Sequence, residues 1–304
     1  MTLARERYAR AMSALSRPSG AFAMVAMDQR ESLRTMLAEV LPEPITLERR
    51  IAFKVAVART LSPHASALLV DRWEGLDAIL SLGALAPGCA LMIAADELVQ
   101  PVGGLVEDTR LDRSVDLDEA AGLGAVAAKL LVIWRHERSA AGRAELVGAF
   151  LEAAHRAGIA GIVEAIVREP GGARPGDWDR EAAIVEAASE LGSLEPDLYK
   201  AQVPFDGMAN RAALEAACRR IGEVLPCPWV VLSSGVPIDA FPAAVEAACR
   251  GGASGFLAGR AVWRDALGPD PEPALIERSV PRLRRLAETV DEMARPWSSA
   301  SRSA

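Results

Sequence analysis

AVAAKLLVIW at residues 125–134 and AGIVEAIVRE at residues 160–169 are apolar runs, each with a charged residue near its centre. Runs that are apolar on both alternating faces are typical of parallel strands buried on both sides. The intervening segment Ala140–Ala157 has the apolar spacing of a helix. Gly158 follows it, where a left-handed residue commonly ends a helix. The stretch therefore predicts a strand–helix–strand unit of a parallel sheet.

Six further apolar runs repeat this pattern, and the eight runs begin 23 to 45 residues apart. They are 21–28, 66–72, 89–96, 125–134, 160–169, 197–204, 229–235 and 254–262. Most intervals are long enough for one right-handed crossover. Without its two terminal segments the chain has about 250 residues, the usual size of an eight-unit barrel. We therefore predict an α/β fold, a TIM (β/α)8 barrel. The alternative is an open doubly wound sheet, but no GxGxxG follows the first run.

The barrel is expected to form a single domain over residues 1–304. A helix over about 1–20 precedes the first strand, and a Ser/Ala-rich tail over about 295–304 is expected to fray. The other helix candidates lie between the runs and include Leu47–Leu61, Arg180–Leu191, Arg211–Val224 and Ile238–Cys249.

Composition excludes several classes of protein. Of the 304 residues, 51% are hydrophobic and 25% are charged, which excludes a disordered chain because a large core can form. The net charge of −7 argues against nucleic acid as a partner, since phosphate backbones need clustered cations. No run reaches the roughly 18 apolar residues of a membrane span, and the start lacks the apolar core of a secretory signal. The arginine-rich start also fits a transit peptide, but a cytoplasmic protein is favoured.

Cysteine and histidine spacing indicates neither a disulfide framework nor a metal centre. The four cysteines form no CxxC motif, so we expect reduced thiols that are buried as small hydrophobic residues. The three histidines form no HExxH pair, so the sequence predicts no histidine-rich metal site.

Polar residues at the carboxyl ends of the runs are candidates for chemistry, because barrel active sites lie at that face. The first run ends in Asp28, Gln29 and Arg30, and the second and third reach Asp71 and Asp96. The two later aspartates fit helix caps equally well. Asp28 shares a strand face with Phe22, Met24 and Ala26, so a helix cap is a less ordinary interpretation for it.

Charged residues lie inside the fourth, fifth and sixth runs. Lys129, Glu164 and Lys200 occupy strands that are apolar on both faces, where an isolated charge is costly. One interpretation is a buried ion pair that fixes the barrel layers. However, two lysines around one glutamate leave a cation in excess, which favours the free amine that attacks a carbonyl. With the glutamate moving a proton, the pattern predicts Schiff-base catalysis.

The last two runs end in a pattern typical of anion binding. Ser234 and Gly235 close the seventh run, and Gly259 and Arg260 close the eighth. In many barrels the loops after these strands hold phosphate through backbone N–H groups, to which arginine adds a permanent charge. A simple turn and a surface ion pair are the alternatives.

Seven motifs carry a resemblance to a known family: FAMVAMDQRE, SPHASALLVD, IAADE, KLLVIWR, DLYK, PWVVLSSGV and GASGFLAGRAVW. From about residue 19 to about residue 294, the chain resembles the class I aldolases of the tagatose-bisphosphate type. Within them it is most similar to the sulfofructosephosphate aldolases of sulfoglycolysis. The resemblance implies a TIM barrel that uses neither metal nor cofactor and forms a homo-oligomer, a tetramer. It implies cleavage of 6-deoxy-6-sulfofructose 1-phosphate into dihydroxyacetone phosphate and sulfolactaldehyde.

The resemblance also implies a role for each motif residue. Lys200 in DLYK corresponds to the Schiff-base lysine, Glu164 to the acid–base group, Lys129 to the second lysine and Asp28 to a polar site residue. The phosphate loops fall on Ser234, Gly235, Gly259 and Arg260. Ala165 stands where we expect a proline after the glutamate, which predicts a different local backbone.

The sequence thus predicts a retro-aldol lyase for a small phosphosugar. The alternative within the same chemistry is an aldolase that cleaves tagatose or fructose 1,6-bisphosphate. Two other hypotheses remain open: a non-catalytic sugar-phosphate sensor, and an isomerase that forms no imine. The far end of the substrate needs a second anion pocket, with candidates Gln29, Arg30, Arg135 and Arg168. A sulfonate pocket should hold fewer cations, because sulfonate carries one negative charge and phosphate about −1.5 to −2.

Overall fold

The computed structural model describes residues 3–171, 174 and 176–300. Within these ranges the strands are β1 (Phe22–Met27), β2 (Ala67–Val70), β3 (Ala90–Ala94), β4 (Asp96–Val99), β5 (Asp108–Leu111), β6 (Ala125–Trp134), β7 (Ala160–Val167), β8 (Leu198–Ala201), β9 (Trp229–Val231) and β10 (Gly255–Ala258). Strands β1, β2, β3 and β6 to β10 pair in parallel in chain order, and β1 also pairs with β10 to close the barrel. Each of the eight predicted runs contributes one barrel strand, so the TIM (β/α)8 fold is confirmed.

The α-helices cover the outside of the barrel. They are α1 (Leu3–Leu15), α2 (Glu31–Ala38), α3 (Leu47–Leu61), α4 (Asp77–Ser81), α5 (Leu117–Gly122), α6 (Ala140–Arg156), α7 (Arg180–Gly192), α8 (Arg211–Val224), α9 (Phe241–Arg250), α10 (Arg260–Trp263), α11 (Glu272–Ala274) and α12 (Val280–Met293). Short 3-10 segments lie at Ser62–His64, Pro204–Gly207, Arg264–Ala266 and Trp297–Ser299, and single π turns at Arg72–Leu76 and Leu275–Ser279. The predicted bounds of α3 and α8 match. Helix α9 begins three residues after the predicted Ile238, with Pro242 in its first turn, a position that suits proline.

A β-hairpin interrupts the barrel between β3 and β6. Its strands β4 and β5 pair antiparallel, with Asp96 opposite Leu111 and Val99 opposite Asp108. This hairpin was not predicted, because its strands are short, contain several polar residues and carry no apolar run. The hairpin rises from the carboxyl end of β3, at the face where barrel active sites lie.

Apolar and charged layers alternate inside the barrel. At the amino-terminal end Phe22, Met24 and Met92 are buried together with Met12 and Leu15 of α1, so that helix closes this end. At the opposite end a small apolar cluster forms from Leu131, Ile133, Ile166 and Leu232. We call this group at the carboxyl ends of the strands the upper apolar cluster. Lys129 and Glu164 each precede one of its members by two residues, so the charged side chains lie between the two apolar layers.

Both chain ends differ in part from the prediction. The N-terminal helix is α1, and residues 1–2 lie outside the described residues. Fraying was expected over 295–304, but the Arg295 N–H donates to the Ala253 carbonyl at 3.0 Å and the Trp297 N–H to the Gly20 carbonyl at 3.1 Å. The Trp297 ring packs edge-on against Tyr8, which explains the ordered contact. Residues 301–304 lie outside the described part.

All four cysteines are buried, as expected for small hydrophobic residues. Burial raises the pKa of the Cys89, Cys218 and Cys249 thiols to about 12. Across the described ranges, none of the helices has both the length and the apolar character needed to span a membrane.

Candidate active site

Lysine is rare in this chain, and every lysine is buried. Three lysines stand among the 34 basic residues, so 31 are arginines. The exposed fractions are 0% for Lys54, 2% for Lys129 and 4% for Lys200. The last two lie on β6 and β8, and the register of the intervening β7 places Glu164 directly beside Lys200. Because an ammonium is costly to bury, the meeting of two of three lysines at one carboxylate indicates a functional site.

One oxygen of Glu164 lies near both lysines. Lys200 Nζ donates to Glu164 Oε2 at 2.9 Å, and Lys129 Nζ lies 3.5 Å from the same oxygen. Lys129 Nζ also lies 2.7 Å from Asp28 Oδ2 and 2.6 Å from Asp96 Oδ2. The structure thus brings together the four central residues selected from the sequence and adds Asp96, which begins a strand rather than capping a helix. Asp71, by contrast, does cap the turn that follows it.

Within the ion-pair network of Lys129 and Lys200 the charges balance, contrary to the predicted excess of one cation. Arg30 also joins the network, because its guanidinium donates to Asp96 Oδ1 at 2.6 Å. Three carboxylates (Asp28, Asp96 and Glu164) therefore face three cations (Lys129, Lys200 and Arg30). The prediction was wrong because it counted charges within the strands and omitted the two aspartates at strand ends. An ammonium neighbour alone therefore does not account for a reactive lysine here.

Burial and charge pairing act in opposite directions on the ionisable groups. Burial disfavours the charged form of Lys129, but the carboxylates of Asp28, Asp96 and Glu164 outweigh it and raise the pKa of this ammonium above its ordinary value. Burial would raise the pKa of Asp28, yet the ammonium groups of Lys129 and Lys200 and the guanidinium of Arg30 lower it below the usual range. Lys129 and Asp28 therefore stay ionised at neutral pH.

A cavity of about 330 Å³ opens at the carboxyl ends of the strands. Asp28, Lys129 and Glu164 line its charged part, and Arg168, Ser234 and Arg260 are also among its lining residues. Lys200 is not a lining residue and contacts the cavity through its hydrogen bond to Glu164. The volume fits a small molecule rather than a macromolecule.

Two arginines of the cavity lack a carboxylate partner among the described residues. Arg260 donates to Ser234 Oγ, and neither Arg260 nor Arg168 forms an ion pair. Burial and neighbouring guanidinium groups lower the pKa of both, Arg168 facing Arg135, Arg180 and Arg260. A bound anion would relieve this unfavourable concentration of positive charge. Among the residues that the structure describes, the surface ion pair considered for Arg260 is not formed.

The two glycines assigned to the phosphate loops lie beside the cavity rather than on its wall. Gly235 has φ +84°, a conformation that favours glycine, and an added Cβ would lie 2.6 Å from Asp206 Oδ1. At Gly259 an added Cβ would lie 2.7 Å from the Ala26 carbonyl oxygen, and its N–H donates to Ser233 Oγ at 3.3 Å. Both glycines permit close packing of the loops and neither lines the cavity.

Two of the four candidates for a second anion pocket line the cavity. Gln29 and Arg168 do, whereas Arg30 is held by Asp96, and Arg135 donates to the Glu169 carbonyl at 2.6 Å. The strand-end positions were correct, but the partners of Arg30 and Arg135 could not be known without the three-dimensional arrangement. The structure therefore reduces this pocket to two of its predicted residues.

Three parts of the cavity wall were missed from the sequence. They are Arg264, the α2 residues Ser32, Thr35 and Met36, and the hairpin residues Leu98 and Gly103 to Val106. Arg264 follows Arg260 by four residues, a spacing that places both on one side of a helix and could have identified it. The α2 and hairpin residues carry no comparable signal, because an intervening loop decides their position.

The missing proline after Glu164 leaves the strand regular. Ala165 pairs with Val132 in the same register that pairs Glu164 with Leu131. The different local backbone expected at this point is not observed, since β7 continues unbroken to Val167.

Comparison with known proteins places the chain in a family. The model of the DeoC/LacD family aldolases matches residues 22–265, which includes all eight barrel strands and the lysine–glutamate cluster. The chain belongs to the DeoC/LacD family of aldolases. It is therefore a carbon–carbon lyase built on a TIM barrel.

Individual relatives agree with this family. The chain is 27% identical over 282 residues to a tagatose 1,6-diphosphate aldolase of Streptococcus agalactiae, covering 83% of each chain. It is 26% identical over 280 residues to tagatose 1,6-diphosphate aldolase 1 of Enterococcus faecalis, covering 82% of each.

Solved structures share the barrel at lower identity. An archaeal fructose-1,6-bisphosphate aldolase, with its catalytic lysine bound to a carbinolamine intermediate, superposes with a TM-score of 0.59 at 17% identity, covering 95% of this chain and all of its own. The fructose-bisphosphate aldolase of Slackia heliotrinireducens gives 0.64 at 16% identity, covering 95% and 92%. The chain therefore has the same fold as these two aldolases.

Proposed function

We propose that this aldolase is a class I enzyme whose Schiff-base lysine is Lys200. The observation that supports this most directly is the 2.9 Å hydrogen bond from Lys200 Nζ to Glu164 Oε2, at the edge of a cavity in which Arg168 and Arg260 have no carboxylate partner in the described part of the chain. A buried amine next to a carboxylate has the two groups that imine formation needs, a nucleophile and a proton carrier. This aldolase would need neither metal nor cofactor.

Lys129 is the less suitable nucleophile of the two lysines. Its ammonium contacts Asp28 and Asp96 at 2.7 and 2.6 Å, and its raised pKa keeps it protonated. Lys200 forms its one ion pair among the described residues with Glu164. We assign Lys129 the role of a fixed positive charge that stabilises the ionised carboxylates and the developing oxyanion.

The proposed reaction conserves atoms and charge at each step. The Lys200 ammonium first passes a proton to Glu164, and the neutral amine adds to the C2 carbonyl of a 1-phosphoketose. Glu164 then returns that proton to the carbinolamine hydroxyl, which leaves as water and gives an iminium and the Glu164 carboxylate. Glu164, with Asp28 ionised beside it, takes the C4 hydroxyl proton, and the C3–C4 bond breaks with its electrons passing to the iminium. The aldehyde leaves, and Glu164 returns the proton it took to C3 of the resulting enamine. Addition of water to the iminium then releases dihydroxyacetone phosphate and restores the Lys200 ammonium.

The substrate we propose is 6-deoxy-6-sulfofructose 1-phosphate, which gives sulfolactaldehyde as the aldehyde. Arg260 and Ser234 would bind the C1 phosphate, with Gly235 and Gly259 shaping the loops. Gln29 and Arg168, which line the same cavity, would bind the distal sulfonate. The choice of sulfonate rests on the sequence resemblance.

Tagatose or fructose 1,6-bisphosphate is the second candidate substrate. It is favoured by the relatives named for tagatose 1,6-diphosphate. The homotetramer, the cytoplasmic location and the single domain over 1–304 complete the proposal, and they rest on the resemblance and the composition described above.

A cleavage assay tests this function. Wild type and Lys200→Ala are given each of the three ketoses, and released dihydroxyacetone phosphate is measured, with circular dichroism to verify folding. We expect wild-type turnover to be fastest with the sulfonated ketose, and the variant to lose at least about 10³-fold in kcat because its nucleophile is gone. Turnover retained in the folded variant would contradict the mechanism, and isomerised ketose as product would indicate an isomerase. Tight binding without turnover would indicate a sensor.

A further inference from the structure

Asp96 makes more contacts to the catalytic network than any role as a helix cap requires. Its Oδ2 accepts from Lys129 Nζ at 2.6 Å and from the Leu131 N–H at 3.0 Å, and its Oδ1 accepts from Arg30 at 2.6 Å. Its side chain is 0% exposed. Both carboxylate oxygens are thus bonded to charged or backbone donors, which fixes the orientation of the group.

The position of Lys129 depends on this carboxylate. Asp96 and Asp28 hold its ammonium at 2.6 and 2.7 Å, whereas Glu164 Oε2 lies 3.5 Å away. If the bond to Asp96 is removed, the nearest alternative partner of the ammonium is Glu164. Lys129 would then compete with Lys200 for the one oxygen that carries the proton in the proposed reaction.

A second buried aspartate–lysine pair provides a built-in comparison. Asp71, at the end of β2, is bonded to Lys54 Nζ, and these side chains are 2% and 0% exposed. The pair also involves Glu74, and none of the three residues lines the cavity. Loss of either aspartate carboxylate leaves a buried ammonium with one partner fewer, so the expected loss of stability is similar at both sites.

We propose that Asp96 is a positioning residue of the aldol reaction, which holds the Lys129 ammonium away from Glu164 so that Glu164 remains bonded to Lys200. This inference rests on the proposed function of the cluster. Asp96 is among the residues that line the cavity, but its carboxylate is 0% exposed and bonded at both oxygens, so its effect passes through Lys129 rather than through contact with substrate.

Steady-state cleavage of a 1-phosphoketose compares Asp96→Asn with Asp71→Asn in the full-length protein. For Asp96→Asn we expect kcat to fall about 100-fold, the cost of a misplaced catalytic group, and KM to change by less than about threefold. For Asp71→Asn we expect both constants within about threefold of wild type, with a similar fall in urea midpoint. Equal kcat values for the two variants would overturn the proposal.

A double substitution separates positioning from general loss of structure. Because Asp96 acts through Lys129, adding Asp96→Asn to Lys129→Met should lower kcat by less than about threefold more. A full additional 100-fold loss would show that Asp96 acts independently, against the proposal.

Arg30→Met gives a second route if Asp96→Asn does not fold. It removes the other side-chain donor to Asp96 at a partly exposed position, where the Arg30 side chain is 19% exposed. We expect kcat to fall about tenfold with KM unchanged. A raised KM with unchanged kcat would instead assign Arg30 to substrate binding and contradict the proposal.

Absence of aldol cleavage in wild type would overturn the proposed function. Wild-type cleavage with equal kcat for the Asp96 and Asp71 variants would overturn this inference alone.

Discussion

Glu164 Oε2 accepts a hydrogen bond from the Lys200 ammonium at 2.9 Å and has the Lys129 ammonium at 3.5 Å. The two lysines differ in what else surrounds them. Lys129 is bonded to two aspartates that keep it charged, while Lys200 depends on Glu164 alone for its ion pairing in the described chain. In the proposed mechanism one lysine therefore serves as a permanent charge, and the other becomes the nucleophile when it passes its proton to Glu164.

Arg168 and Arg135 allow a matched test of the distal anion pocket. Arg168 lines the cavity without an ion pair, whereas Arg135 donates to a carbonyl oxygen outside it. We expect Arg168→Met to raise KM for a ketose with a distal anion about 10- to 100-fold, the value of a charged hydrogen bond. Arg135→Met should stay within about twofold. Steady-state kinetics on both variants measures this, and equal effects would remove Arg168 from the pocket.

The residue types of the site could be predicted from sequence, but their pairing could not. Lys129, Glu164 and Lys200 are identifiable because a charge inside a strand that is apolar on both faces is costly. Asp96 is bonded to Lys129, 33 residues away, and to Arg30, 66 residues away. Such contacts depend on barrel closure, so no local pattern distinguishes Asp96 from a helix cap.

At the scale of elements, the predictable parts are those with a repeated pattern. The eight runs each become a barrel strand because both of their faces are buried, one against helices and one inside the barrel. The hairpin of β4 and β5 has no such pattern, yet Leu98 and Val106 pack on the upper apolar cluster and line the cavity. Its contribution to the site comes from contacts that only the closed barrel creates.

Helix α1 stabilises the barrel without contributing to the site. Met12 is 0% exposed and packs with Phe22 and Met24 at the end opposite the cavity. We expect Met12→Ala to lower the free energy of unfolding by about 3 kcal/mol, through lost burial and a residual cavity. KM should not change. Urea denaturation measures the effect, with the exposed Ser13→Ala on the same helix as control; a loss below about 1 kcal/mol would show that α1 does not close the barrel.

At the scale of the whole molecule, buried charge makes stability depend on pH. Burial disfavours the Asp197 carboxylate, but hydrogen bonds from His155 and Arg7 outweigh it and hold the pKa of Asp197 below its ordinary value. A folded-state pKa below that of the unfolded chain stabilises the protein above about pH 4, and this contribution is lost as the pH falls further.

Asp197→Asn tests this dependence at a site remote from the cavity. We expect the variant to be less stable than wild type by about 3 kcal/mol at pH 7, because a buried ion pair is broken. The difference should narrow by about 1 kcal/mol at pH 3, where the wild-type advantage is partly titrated away. Urea titrations at both pH values measure it, and a difference that is independent of pH would contradict the assignment.

Imine formation by Lys200 is directly testable, because the chain contains three lysines. The protein is incubated with dihydroxyacetone phosphate and borohydride, and any reduced adduct is located by peptide mass spectrometry among the peptides that hold the three lysines. We expect a single adduct on the Lys200 peptide of wild type and none on Lys200→Ala. No adduct on folded wild-type protein, or an adduct on Lys129 instead, would contradict the assignment of Lys200 as the Schiff-base lysine.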